Sequence, residues 1–349
     1  ATLYSPYMIL LGLLIIAVGA FCQSSCYVPI NRIKSWSWES YWLVQGIFAW
    51  LLFPFLGALL AVPQGHSLCE LFTADNSFRI WMTILFGALW GVGGLTFGLS
   101  MRYLGVALGQ SIALGTCAGL GTVLGPVMLN IFFPEGHYLA QLTAAVLIGV
   151  VVTLIGIGII GVAGSMKSRT MSEEQKREAV KDFNFPKGIA IALLAGVMSG
   201  CFNVGLEFGG NISFSESNPM YATLPATFLV TLGGFITNAV YCLYQNSRNH
   251  TFGDYGRTSL YANNLLYCAL AGALWYSQFF GLSLGKGFLT DSPTLLAFSW
   301  CILMALNVVF SNVWGIILKE WKGCSRSTMA VLTAGIIVLI ISSFLPQLI

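Results

Sequence analysis

Residues 142–164 read LTAAVLIGVVVTLIGIGIIGVAG and hold no charged side chain. A helix needs about 20 mostly apolar residues to cross the roughly 30 Å hydrocarbon layer of a bilayer, so this run is long enough to span it. Nine similar runs lie along the chain, separated by breaks rich in Pro, Gly, Asp and basic residues. The ten runs cover residues 8–28, 40–62, 79–101, 104–130, 138–162, 188–208, 221–245, 261–285, 293–318 and 327–346. The sequence therefore predicts an all-α polytopic membrane protein with ten transmembrane helices.

The composition agrees with this prediction. Of the 349 residues, 56% are hydrophobic and 8% are charged, whereas soluble proteins contain about 25% charged residues. Ten crossings joined by short loops leave no room for a sizeable soluble domain. A net charge of +3 is too small to indicate nucleic-acid binding. The expected partners are the lipid bilayer and a small-molecule substrate, with no nucleic acid and no obligate protein partner.

The basic residues predict the orientation of the helices. Alternate loops lie on the same side of the membrane. Of the 16 Lys and Arg residues in the sequence, 14 fall on one side and only Arg79 and Lys286 fall on the other. Basic residues are retained on the cytoplasmic side of a membrane. We therefore expect both termini on the opposite, outer side.

Two sequence echoes indicate an internal duplication. Gly87-Ala88-Leu89-Trp90 recurs as Gly272-Ala273-Leu274-Trp275, and Leu142-Thr143-Ala144 recurs as Leu332-Thr333-Ala334. The only long polar stretch lies between the halves, so the predicted organisation is a first five-helix repeat at 1–164, a cytoplasmic linker at 165–187 and a second five-helix repeat at 188–349. Because each half has an odd number of spans, the two repeats are inverted, as is typical of secondary transporters.

The spans lack the motifs of an enzyme or an ATP-driven pump. Gly285-Lys286-Gly287 does not have the spacing of a phosphate loop, and no nucleophile–base pair or cluster of metal ligands is evident. The cysteines within the apolar runs are expected to be small packing residues. Glycines at 87, 91, 94 and 98 and between 119 and 125 predict close helix packing.

Amides predominate among the polar residues inside the predicted spans. Asn and Gln offer both donors and acceptors, which suits a neutral polyhydroxylated solute. Tryptophan rings near mid-depth could stack on the C–H face of a sugar or simply pack between helices, and the sequence leaves both readings open. The candidate substrate-binding residues are Gln23, Trp90, Asn203, Asn238, Trp275, Gln278 and Trp300.

Glu207 is the only acidic residue placed within a span, four positions after Asn203 and therefore on the same helical face. It is the candidate for proton coupling, because a carboxyl group inside the membrane can bind and release a proton during transport. The alternative is that the sixth span ends there and that Glu207 is solvated at the outer mouth.

Four motifs, spread over both halves of the sequence, resemble the L-rhamnose–proton symporter family of the drug/metabolite transporter superfamily, so the resemblance extends over nearly the whole chain. They are residues 34–39 (KSWSWE), 90–105 (WGVGGLTFGLSMRYLG), 275–280 (WYSQFF) and 318–321 (LKEW). The resemblance implies a fold of two inverted five-helix repeats in a bacterial inner membrane. It also implies import of L-rhamnose, or a close 6-deoxyhexose, by alternating access, with a proton as the coupling ion and no cofactor.

The shared motifs contain four charged residues at the predicted cytoplasmic helix ends, where they could form a gate or set the topology. They are Glu39, Arg102, Lys319 and Glu320. Glu207 does not match a motif of the family. The alternative function is an exporter or exchanger of another small metabolite of the same superfamily.

Overall fold

The computed structural model describes residues 5–104, 106–170, 172, 174 and 184–349. These residues form twelve α-helices, numbered here in chain order. They are α1 (Ser5–Ser25), α2 (Tyr27–Ile30), α3 (Trp38–Gly46), α4 (Phe53–Leu60), α5 (Ser77–Leu104), α6 (Val106–Phe132), α7 (Ala144–Arg169), α8 (Phe185–Phe208), α9 (Leu224–Asn249), α10 (Tyr261–Phe288), α11 (Pro293–Ile317) and α12 (Arg326–Leu348). A π-helical turn, Ile47–Leu52, joins α3 to α4.

Ten stretches in the described residues are long and apolar enough to cross a membrane, and no strand occurs among those residues. The prediction of an all-α protein with ten spans is confirmed. The first span combines α1 and α2, and the second combines α3, the π-helical turn and α4. Each remaining span is a single helix.

The fifth span differs from the prediction at both ends. The predicted run begins at residue 138, but Pro134–Gly136 and Tyr138–Gln141 form 3-10 turns, and α7 begins at Ala144. Thr143 caps this helix, since its hydroxyl accepts a hydrogen bond from the Val146 N–H at 3.3 Å. The helix then continues to Arg169, past the predicted start of the linker at 165. Residues 171, 173 and 175–183 of the predicted linker lie outside the described residues.

The chain divides into two compact units, and each unit draws on both halves of the sequence. Unit 1 contains Ala1–Gly91 and Gly205–Asp291, and unit 2 contains Val92–Val204 and Ser292–Ile349. Unit 1 therefore holds α1–α4, α9, α10, the first half of α5 and the end of α8. This division neither requires nor excludes the duplication, so the two inverted repeats stay a prediction.

Glycines let the helices of unit 1 approach closely. A Cβ added at Gly12 would lie 2.9 Å from the Gly285 carbonyl oxygen, so α1 packs directly on the backbone of α10. A Cβ at Gly87 would overlap the carbonyl oxygen of Val230, where α5 packs on α9. The prediction of close packing is confirmed at Gly87 but is wrong at Gly94 and Gly98, where an added Cβ would meet open space.

In unit 2, α7 packs on α12 and α6 packs on α8 and α11. Gly121 is the close-packing residue predicted in α6: an added Cβ would lie 3.0 Å from Cδ1 of Trp300.

The cysteines also behave as predicted, because most of them are small buried packing residues. The buried ones are Cys26, Cys117, Cys201, Cys242, Cys268 and Cys301, whereas Cys69 is exposed in the loop after α4.

A candidate sugar site and the charged groups of the spans

Four tryptophans of unit 1, Trp42, Trp50, Trp90 and Trp275, form a tryptophan cluster. The ring of Trp50 lies at its centre, with ring centroids 5.5 Å from Trp42, 6.1 Å from Trp90 and 6.0 Å from Trp275, each in an edge-to-face arrangement. Trp90 and Trp275 are 5.6 Å apart. Trp50 is buried, whereas Trp90 and Trp275 are each partly exposed. The structure thus brings together the two tryptophans of the sequence echo, one from each half of the chain, and leaves part of each ring accessible.

Local backbone features position this cluster. The π-helical turn at Ile47–Leu52 carries Trp50, and π-turns change the direction of side chains relative to a regular helix. Gly46 leaves room for the Trp50 ring, and Gly234 leaves room for the Trp90 ring, since a Cβ at either position would overlap the indole. Substituting either glycine would therefore displace a tryptophan of the cluster.

Asn238 supplies an amide that binds directly to the cluster. Its Nδ2 donates to the Gly234 carbonyl at 2.8 Å and to the Gly91 carbonyl at 3.4 Å, and its Oδ1 accepts from Trp42 Nε1 at 3.1 Å. The amide ties α9 to α5 and to the second span, so it holds Trp42 in place beside the other rings.

The remaining candidate substrate residues lie elsewhere. In unit 1, Gln23 is half-buried on α1, and Gln278 is buried on α10, where its Cα faces Gly19 of α1. In unit 2, Asn203 Nδ2 donates to the Gly121 carbonyl at 2.9 Å, and Trp300 Nε1 donates to the Cys117 carbonyl at 3.1 Å.

Trp300 and Asn203 thus both donate to the backbone of α6. The Trp300 ring is 2% exposed and stacks on Phe202 with centroids 5.8 Å apart. These contacts favour a packing role over direct substrate contact, and the assignment of both residues to the substrate stays a prediction.

Glu207 lies near the end of α8 and is half-buried in unit 1. Its carboxylate interacts electrostatically with the half-buried ammonium of Lys286 on α10. The Arg79 guanidinium donates to the Phe208 carbonyl at 3.2 Å, next to Glu207 in the chain. The two basic residues that the sequence separates from all the others therefore both lie beside this end of α8.

Two residues before Glu207, α8 packs on α5. An added Cβ at Gly205 would lie 3.4 Å from Phe86 Cβ, and Phe86 is one helical turn before Trp90. The coupling role of Glu207 stays a prediction.

The predicted gate residues fall into different environments. Glu39 is buried, and its Oε1 accepts hydrogen bonds from Thr251 Oγ1 at 2.7 Å and from Asn249 Nδ2 at 3.2 Å. Lys319 and Glu320 are exposed in the turn after α11, where Lys319 has a φ of 62°. The side chain of Arg102 lies outside the described residues. The structure therefore places Glu39 in a hydrogen-bonded network.

That network is centred on Asp254, in the loop between α9 and α10. Its Oδ2 accepts from the Ser37 N–H at 3.0 Å, the Ser37 hydroxyl at 2.9 Å and the Ser40 hydroxyl at 2.8 Å. Burial raises the pKa of Asp254, but these hydrogen bonds and the nearby Arg257 lower it by more, so the pKa lies below its usual value. The carboxylate anchors the start of α3 to this loop.

Replacing Asp254 with Asn should destabilise the protein by about 1.5–3 kcal/mol, because a hydrogen bond to a charged group contributes about that much. A lowered pKa means that the carboxylate contributes its stability above the unfolded-state pKa and loses it as the pH falls through the folded-state pKa. The wild-type protein should therefore lose this contribution below about pH 4, and Asp254→Asn should lack that step. Thermal unfolding in detergent at several pH values measures both effects. The exposed Asp291→Asn is the control, and equal unfolding of the two variants would contradict the prediction.

Sequence reasoning missed Trp42 and Trp50 as members of the site. The only signal was the density of tryptophans in the second span, and regular helical spacing could not orient Trp50 because the π-helical turn changes its direction.

Ten spanning helices, a tryptophan cluster with two accessible rings and a carboxylate within a span define a multi-pass membrane protein of the transporter class. The model of the L-rhamnose-proton symport protein family matches residues 6–348. The chain belongs to that family, which is a family of transporters and not of enzymes.

Relatives support this assignment. The L-rhamnose-proton symporter of Klebsiella pneumoniae subsp. pneumoniae is 32% identical over 97% of both chains. That of Salmonella typhi is 32% identical over 93% of this chain and 94% of its own, and that of Yersinia pestis is 30% identical over 96% of each. The described residues hold no group of three His, Cys, Asp or Glu side chains placed to bind a metal ion.

Proposed function

We propose that this protein imports L-rhamnose, or a close 6-deoxyhexose, together with a proton by alternating access in the bacterial inner membrane. Membership of the symport family and the relatives named L-rhamnose-proton symporters support the substrate and the coupling ion. Transport of this kind uses no cofactor, because the proton gradient supplies the free energy.

The observation that carries the proposal is the pair of accessible rings at Trp90 and Trp275, 5.6 Å apart at the edge of the tryptophan cluster. Indole faces bind the C–H face of a sugar, and amides such as Gln23, Asn238 and Gln278 can bind its hydroxyls. Trp90 and Trp275 are the proposed stacking residues. Asn203 and Trp300 are also proposed as substrate residues, with less support because their polar atoms bind the backbone.

Glu207 is the proposed proton carrier. One proton moving down a membrane potential of ~150 mV releases about 3.5 kcal/mol, enough for a concentration ratio of several hundredfold. Its half-buried position and the two cations beside this end of α8 support the assignment.

In the proposed orientation both termini are periplasmic, and the network of Glu39 lies on the cytoplasmic side with Arg102, Lys319 and Glu320. The distribution of basic residues supports this orientation, because all of them except Arg79 and Lys286 fall on the proposed cytoplasmic side.

Reconstitution tests the proposed function. Purified protein in proteoliposomes should accumulate radiolabelled L-rhamnose when the lumen is more alkaline than the medium, and a protonophore should abolish the accumulation. Exchange of preloaded sugar without any response to the pH gradient would identify an exchanger. Failure of L-rhamnose to move, with movement of another metabolite, would overturn the substrate.

Replacing Trp275 with Ala should weaken L-rhamnose binding at least about tenfold, since it removes one face of the proposed site. Trp81→Ala is the matched control, because Trp81 lies on α5 and is 67% exposed. Isothermal titration of the two purified variants measures the difference. Equal affinities would exclude Trp275 from the sugar site.

A further inference from the structure

One indole nitrogen of the tryptophan cluster has no hydrogen-bond partner among the described residues. This nitrogen is Nε1 of Trp50, which is 3% exposed. In contrast, Trp42 Nε1 donates to Asn238. A buried donor without a partner is destabilising, so such a group calls for a functional or structural explanation.

The geometry of the indole indicates where this N–H is directed. A Cβ at Gly46 would meet Cε3 and Cζ3 of Trp50, which form the edge of the indole opposite Nε1. The N–H therefore points away from the adjacent backbone of its own helix. The neighbouring rings include Trp90 and Trp275, which are the two partly exposed members of the cluster. Trp50 thus lies directly behind the accessible rings.

We propose that Trp50 is a specificity-determining residue whose Nε1–H donates a hydrogen bond to one sugar hydroxyl when the Trp90 and Trp275 rings move apart around the substrate. Indole is a donor only, so the hydroxyl oxygen accepts. This inference rests on the proposed function, and it adds an indole N–H donor to the ring faces and amides already proposed for the site.

Two replacements at Trp50 test the proposal. Trp50→Phe removes the N–H and part of the ring, and benzothienylalanine at position 50 keeps both fused rings while lacking the N–H. Either change should weaken L-rhamnose binding about tenfold, as expected for the loss of one hydrogen bond. The matched control is Trp36→Phe: Trp36 Nε1 is also buried without a partner, but its ring contacts Tyr255 rather than the cluster. This control should bind L-rhamnose like the wild type.

Deoxy analogues identify the hydroxyl. The 2-, 3- and 4-deoxy derivatives of L-rhamnose are titrated into the wild type and the benzothienylalanine protein. One analogue should bind both proteins equally, because its missing hydroxyl is the partner of the missing N–H. If the wild type binds L-rhamnose and the position-50 proteins bind every sugar as the wild type does, the inference is overturned, and the N–H instead contacts an aromatic face. If the wild type binds no L-rhamnose, the proposed function itself fails.

Discussion

Replacing Glu207 with Gln should reduce proton-driven accumulation of L-rhamnose by about 100-fold or more, to a ratio near one. The amide keeps the size and hydrogen-bonding capacity of the side chain but cannot bind and release a proton at neutral pH. The free energy of about 3.5 kcal/mol that one proton supplies at ~150 mV would then no longer be coupled to the sugar. Uptake into proteoliposomes under an imposed pH gradient measures this loss.

Two further measurements separate coupling from folding. Glu207→Gln should still exchange labelled for unlabelled L-rhamnose, since exchange needs binding and alternating access but no net proton movement. Glu216→Gln is the control, because Glu216 is an exposed carboxylate in the loop after α8. Full accumulation by Glu207→Gln would show that Glu207 does not couple the proton to the sugar. The remaining role of Glu207 would then be its electrostatic interaction with Lys286.

Replacing Gly87 with Ala should destabilise the protein by about 1–3 kcal/mol or more. The new Cβ would overlap the carbonyl oxygen of Val230, and backbone atoms can move only if α5 and α9 separate. Such separation would also strain the hydrogen bonds that Asn238 makes to Gly91 and Trp42. The apparent melting temperature in detergent should fall by several degrees.

The control is the same substitution two turns further along α5. Gly94→Ala places its Cβ in open space, and Ala is favoured over Gly in a helix by about 1 kcal/mol. Its melting temperature should therefore equal or exceed that of the wild type. If both variants were equally stable, the close contact of α5 with α9 would be contradicted.

The ten spans were predictable because exposing polar groups to hydrocarbon is costly, and this cost depends only on the composition of the segment itself. The repeated motif ending at Trp90 and Trp275 also identified two residues that the fold brings together. Regular patterns could not orient Trp50, because a π-helical turn precedes and contains it. The prediction of close helix packing was wrong at Gly94 and Gly98, because a glycine allows another helix to approach but does not ensure that one does.

The hydrogen-bond partners of the candidate polar residues could not be predicted from the sequence. Asn203, Asn238 and Trp300 share one sequence property, a polar atom in an apolar run, yet all three donate to backbone carbonyls of neighbouring helices. Which carbonyl lies within reach depends on the distance between helix axes, and sequence spacing along one helix contains no information about that distance. The partial exposure of Trp90 and Trp275 likewise depends on the distances to neighbouring helices.

The exposed thiol of Cys69 gives a chemical means of reading the orientation in an unmodified membrane. A maleimide that cannot cross the bilayer would react with this loop from the periplasmic side of spheroplasts if the proposed orientation is correct, and would leave the six buried thiols untouched. Inverted vesicles would protect Cys69. Cys22 and Cys324 are half-buried, so mapping of the labelled peptide assigns the reaction to Cys69. The unaltered chain then carries its own topology label.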